Sequence, residues 1–218
     1  MFMEEKLYLQ TRSLKRGQSS LDPVLAGVCQ RVYDRLGVRP LNLLYDRNDI
    51  GPNKGKPRLN VIFDTNEDYY HVHKNWLVMR SAAKKVILQE WAERSHGETH
   101  ETADVHLISD CFAAAAISRA SEMMRTNHEI ELLHCFANEN VWAIHGVGWA
   151  TVVFFDTELS KDNAAKSGVT QTIESACYKL LKTYDEFDYL SREQFGVNFD
   201  SKEVLDRDFE GNLYYYFK

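Results

Sequence analysis

A chain of 218 residues that is 44% apolar and 27% charged has the make-up of an ordinary globular protein. At this length a compact fold buries roughly 70% of the surface its unfolded chain exposes, so folding requires neither a disulfide framework nor a structural metal. The formal net charge of −6 opposes broad nucleic-acid binding, which rewards dense Lys and Arg surfaces, and suits pairing with a basic protein.

Leu7, Leu9 and Thr11 alternate as in a first strand. Asp22-Pro23 announces a helix, with Asp22 as N-cap and Pro23 at its first position. Val24, Leu25, Val28, Val32 and Leu36 recur at helical spacing, and Gly37 closes the segment. Leu41 to Tyr45 and Leu59 to Phe63 read as a β-hairpin around the tip Gly51-Pro-Asn-Lys-Gly-Lys-Pro-Arg58. This tip does not meet the spacing of a phosphate loop, and Pro57 stands where Ser or Thr is required. Lys54, Lys56 and Arg58 remain as a basic finger for an anionic contact, beside the plainer alternative of a solvated loop.

Trp76, Met79, Ala83, Val86, Ile87 and Trp91 predict one helix from about Lys74 to Arg94. After the polar break at His96 to His100, a second helix is expected from about Ala103 to Arg125. In the second half, Val141 to Ile144 and Trp149 to Phe155 read as strands and Ser167 to Tyr184 as an amphipathic helix. Gln194 to Phe199 and Leu213 to Phe217 complete the strands. The fold class implied is α+β, an antiparallel or mixed sheet of about six or seven strands with helices packed mainly on one face. No Pro/Gly/Ser linker divides the chain, so residues 1–218 read as one globular domain.

A short pattern recurs. Val61-Ile-Phe-Asp-Thr65, Val153-Phe-Phe-Asp-Thr157 and Val197-Asn-Phe-Asp-Ser201 share the form V-x-F-D-[ST] at strand ends. They hint at two weakly related halves, 1–73 and 141–218, around a helical middle, 74–126. Structurally, Val and Phe face one side of the sheet while Asp starts a turn or caps a helix. Asp64 with Glu67, and Asp200 with Glu203, have the spacing of a capping box. The functional alternative gathers Asp64, Asp156 and Asp200 into a cation or acid/base site; the structural role is favoured.

Other chemistry is thin. His71 and His73 would share a face if extended, so they are the residues to replace first if a metal were bound. No zinc motif accompanies them, and no metal or other cofactor is expected. Ser109 lacks a nucleophile elbow, and its neighbour Asp110 points elsewhere on a helix. The aromatic end Tyr214-Tyr-Tyr-Phe217 either packs as an inner strand or offers Tyr214 and Tyr216 as a recognition surface.

Cys29, Cys111, Cys135 and Cys177 form no C-x-x-C pair and suit a reducing compartment. Val141 to Phe155 is too short to span a bilayer, and Met1 to Lys6 lacks the apolar core of a secretory leader. The expectation is a cytoplasmic, non-catalytic binding protein of inhibitor or immunity type for a basic protein partner, with no nucleic acid or membrane. The alternative is a small metal- or acid/base-dependent hydrolase or transferase built from scattered Asp and His.

Overall fold

The computed structural model describes residues 3–49, 51–95, 104–147 and 150–218. The chain divides into two compact units, residues 1–115 and 116–218.

The first unit begins with α1 (Glu5–Lys15), where alternation had suggested a strand. Leu7, Tyr8 and Thr11 are its buried residues, a set spaced for one face of a helix. Five residues of alternation are too few to separate the two periods, and contact with a neighbour decides. Thr11 Oγ1 donates to Leu7 O at 2.7 Å and accepts from Asn42 Nδ2 at 2.9 Å. The second helix, α2 (Pro23–Leu36), has the expected ends: Asp22 accepts from Val24 N at 2.8 Å, and Gly37 takes φ 75°. A left-handed residue suits glycine, which has no Cβ to clash there.

β1 (Asn42–Arg47) and β2 (Pro57–Phe63) form the expected antiparallel hairpin. Of the helix predicted over 74–94, residues 81–94 form α4 (Ser81–Arg94), whereas 74–80 are a loop that links it to α3 (Asn66–Val72), a helix the periodicity does not predict. The predicted helix from 103 begins as a strand, β3 (His106–Cys111), and becomes helical only at α5 (Phe112–Cys135). A short apolar run fits either state, and here a ladder of partners on β2, from Arg58↔His106 to Phe63↔Cys111, makes it a parallel strand. Residues 96–103, which include the whole polar break with His96 and His100 and the expected helix start at Ala103, lie outside the described residues.

Period two sets what lies on each side of this sheet. Leu43, Leu59, Val61 and Phe63 pack with Val28, Cys29 and Val32 of α2 and Ile87 and Trp91 of α4. Asn42 faces the other side, where Thr11 of α1 meets it. Helices therefore cover both faces, not mainly one.

The second unit repeats the plan. β4 (Val141–Val147) pairs antiparallel with β5 (Ala150–Phe155), and β5 pairs parallel with β6 (Val197–Ser201). Between β5 and β6 lie α6 (Glu158–Ser167) and α7 (Val169–Lys182), parted by Gly168 at φ 85°. The amphipathic helix expected over 167–184 is α7, which starts after that left-handed residue; α6 before it is additional. After β6 come α8 (Lys202–Phe209) and α9 (Leu213–Tyr216). The last is a short helix rather than the expected strand, because Asn212 caps it by accepting from Tyr214 N at 2.9 Å. Val153, Phe155, Ile173 and Cys177 fill one side of this sheet, and Val152, Phe154 and Leu205 the other.

Among the described residues the expected sheet of six or seven strands is thus two sheets of three, ordered β1-β2-β3 and β4-β5-β6. In each, a hairpin leads into a central strand and a two-helix crossover returns a parallel third strand. The V-x-F-D-[ST] segments end β2, β5 and β6, and in each the final hydroxyl is the helix cap. Thr65 accepts from Asp68 N at 3.1 Å, Thr157 from Ser160 N at 3.0 Å, and Ser201 from Val204 N at 3.2 Å. The expected capping role of Asp64 belongs to Thr65; Asp64 forms an ion pair with Lys15 instead. The register exposes a fourth counterpart. Asp110 lies opposite Ile62 as Asp200 lies opposite Phe154, and both partners stand directly before the Phe of the pattern.

Loss of an N-cap hydroxyl leaves a backbone donor unpaired and destabilises by about 1 kcal/mol. Thr65→Ala, Thr157→Ala and Ser201→Ala are each expected to lower stability by about that amount in urea titration. The control Ser191→Ala, outside any helix, should change it by far less.

Candidate functional site

The chemically suggestive groups of the first unit gather where β2 and β3 end. His73 follows α3, is 3% exposed, and uses both ring nitrogens. Nδ1–H donates to Tyr69 O at 2.7 Å. Because a carbonyl can only accept, Nε2 is left as the acceptor for the Ser109 hydroxyl, 2.8 Å away. The imidazole stacks on Tyr69 with centroids 3.8 Å apart and meets Phe63 edge-on at 6.4 Å. Burial holds its pKa below the ordinary value, so it stays neutral.

A hydroxyl donating to a neutral imidazole is the core of a nucleophile–base pair. Here the group orienting the base is a backbone carbonyl, not a carboxylate. Asp110 does not supply one: it lies on strand β3, where neighbours face opposite sides. It was read as part of a helix, but the separation from Ser109 is the same. Burial raises its carboxyl pKa. Cys111 donates to Asn66 Oδ1 at 3.3 Å, and burial pushes its thiol up to about 11, where it is protonated and a poor nucleophile. What the arrangement does is mechanical: Ser109 fixes His73, which fixes Tyr69, whose hydroxyl donates to Trp76 O at 2.9 Å.

His71 is exposed while His73 is fully engaged, so the two do not form a ligand pair. Among the described residues no group of three or more His, Cys, Asp or Glu side chains is placed to hold an ion. Two of the three carboxylates of the repeated pattern have partners of their own, and the third is exposed. Asp64 pairs with Lys15, Asp156 is exposed, and Asp200 accepts from the Tyr216 hydroxyl at 2.8 Å. β5 and β6 run parallel and so end on one side, which the sequence reading did not anticipate.

The basic finger is only partly available. Lys54 is exposed and Lys56 pairs with Asp104 at 3.2 Å. Arg58 lies in β2 and grips Asp46 with two hydrogen bonds of 2.7 and 2.6 Å, with Glu4 at 3.6 Å. Between α2 and α4 an open hollow of about 530 Å³ is lined by Pro23, Val24, Arg31, Glu90, Glu93 and Arg94. Its buried carboxylate, Glu90, already has Arg35 at 2.8 Å and Arg31 at 3.6 Å.

At the C-terminus the tyrosines divide. Tyr216 packs against Phe154 and Phe209, each with centroids 5.0 Å away. Burial, and then the Asp200 carboxylate, push its phenol up to about 12. Tyr214, Tyr215 and Phe217 remain outside at 69%, 51% and 42% exposure. Trp142 of β4, 39% exposed, continues the ring contacts through Phe154 at 6.1 Å, and Lys202 lies over it at 5.6 Å. Sequence reading passed over Trp142 because a lone aromatic in a strand looks like core. It also passed over the His73–Ser109 contact, which joins positions 36 apart. Comparison with protein-family models, curated proteins and solved structures finds no match to this chain.

The lowered pKa of His73 fixes the sign of a pH effect. The unfolded chain takes up the proton more readily, so this stabilising contribution is complete above the ordinary value of 6.5. It is lost as pH falls through 6.5 toward the lowered folded value. His73→Asn should therefore show a flatter decline in stability than the parent between about pH 7 and pH 5. Denaturant titration at each pH measures this.

Proposed function

We propose that this is a non-catalytic binding protein that acts by engaging a basic protein partner, in the manner of an inhibitor or immunity protein. One coincidence carries the reading: the unit with the acid excess also holds a group of exposed rings at its C-terminal end. Residues 116–218 contain 17 Asp and Glu against 10 Lys and Arg, whereas residues 1–115 contain 15 against 16. The second unit is also where Trp142, Tyr214, Tyr215 and Phe217 stand exposed. Tyrosine and tryptophan offer large, rigid contact area at low entropic cost, which is why they dominate binding hot spots. The acid excess of the unit adds steering toward a cationic partner and disfavours nucleic acid.

Tyr216 belongs to this reading as the support rather than the contact. Anchored to Asp200 and packed between Phe154 and Phe209, it fixes α9 and with it the rings on either side. Four free cysteines and the lack, among the described residues, of a helix long and apolar enough to cross a membrane accord with a cytoplasmic site of action.

A second reading, a serine hydrolase in place of the metal- or acid/base-dependent enzyme expected from scattered Asp and His, rests on the single contact between Ser109 and His73. Labelling of Ser109 by a fluorophosphonate, lost in Ser109→Ala, would favour it.

For the binding protein, affinity purification followed by titration of the partner is the test. Tyr214→Ala with Tyr215→Ala is expected to weaken binding about tenfold or more, since truncated aromatic anchors typically cost above 1 kcal/mol each. Raising salt should slow association. Unchanged affinity in the double variant would remove the C-terminal face from the interface.

A further inference from the structure

The loop 74–80, between α3 and α4, is built to present apolar side chains. Trp76, Leu77 and Val78 are 64%, 65% and 47% exposed, with Tyr70 of α3 at 51%. Hydrogen bonds hold this display in place. Lys74 N donates to Val78 O at 2.8 Å and Arg80 N to Val72 O at 2.9 Å, while His73 and Met79 form an antiparallel bridge. Asn75 Oδ1 accepts from both Leu77 N at 3.0 Å and Val78 N at 2.9 Å. The Tyr69 hydroxyl, held by the stack on His73, donates to Trp76 O at 2.9 Å.

Four backbone groups at the tip are therefore paired within the protein: Trp76 O, Leu77 N, Val78 N and Val78 O. Unpaired backbone groups are the main penalty when a loop leaves water. Here much of that penalty is removed in advance. The charge pattern is equally one-sided. Residues 69–89 include Lys74, Arg80, Lys84 and Lys85 and no carboxylate. All four cations are exposed, and none forms an ion pair among the described residues.

We propose that this loop docks on an anionic phospholipid surface. Trp76, Leu77 and Val78 enter the interfacial layer, and Lys74, Arg80, Lys84 and Lys85 lie among the headgroups. A small convex tip needs no matching pocket in a fluid interface, and tryptophan favours that layer. Three of the four cations are lysines, point charges on flexible stems that suit a diffuse field of headgroups. Recognition of fixed protein carboxylates would instead favour the planar fork of arginine.

The test is co-sedimentation of the full chain with phosphatidylcholine vesicles, with and without phosphatidylserine. Binding is expected only with phosphatidylserine and should weaken as salt rises. Lys84→Ala with Lys85→Ala should lower partitioning about 30-fold, taking about fivefold per lysine near a charged membrane. Leu77→Ser should lower it about tenfold. Both changes lie on exposed residues, and circular dichroism verifies that each variant is folded. Tyr214→Ala with Tyr215→Ala should leave vesicle binding intact, separating this surface from the C-terminal face. No sedimentation with phosphatidylserine, or equal sedimentation of the parent and both loop variants, overturns the proposal. Binding to polyglutamate without binding to vesicles would overturn it too, assigning the loop to an acidic protein.

Discussion

Each unit depends on the parallel pairing of its third strand with its central one. β2 and β5 are buried along most or all of their described lengths, because each has a neighbour on both edges. A parallel partner cannot follow a hairpin turn; it needs a crossover, and α3–α4 and α6–α7 provide it. The crossover then supplies the cover for the sheet face it leaves, so Ile87 and Trp91 in one unit, and Ile173 and Cys177 in the other, complete the cores. The hydroxyl at the end of each central strand starts the crossover by capping its first helix. Strand pairing, helix start and core filling are thus one cooperative feature.

The same pairing sets the most suggestive polar contact. The register Val61↔Ser109 places Ser109 where His73, at the end of α3, can accept its proton. In the second unit the corresponding register, Val153↔Phe199, puts a phenylalanine at that position, and Phe199 joins the core instead. Likewise Asp200 is held by Tyr216, while its counterpart Asp110 lies in an interior where burial raises its pKa. Two units with one topology therefore differ in their polar interior. The first uses its polar network to stiffen a loop. The second uses its own to seat an aromatic terminus.

That division accounts for how charge and exposed apolar surface are combined. In the second unit, exposed rings accompany an acid excess; around residues 69–89 in the first, exposed Trp, Leu and Val accompany cations alone. Isolated exposed apolar residues are ordinary. Groups of them on segments stiffened by side-chain hydrogen bonds are less so, because a disordered segment would turn such residues inward or leave them mobile. The Asn75, Tyr69 and His73 contacts in one case, and the Asn212 and Tyr216 contacts in the other, keep them outward.

What the chain determines by itself is local. Asp22-Pro23 and Gly37 bounded α2, because caps and left-handed closures are made within a few residues. The repeated V-x-F-D-[ST] segment marked real strand ends for the same reason. Where two periods fitted equally, at Leu7 to Thr11 and His106 to Cys111, only packing on the sheet decided. The tip at Trp76 looked helical because Trp76 and Met79 are in phase with Ile87 and Trp91, yet the loop between α3 and α4 places them outside either helix. Strand order, the His73–Ser109 contact, and which tyrosine of 214 to 216 turns outward were settled by tertiary structure. Each joins elements distant in sequence, and no local preference encodes which partner a strand edge or a buried donor will meet.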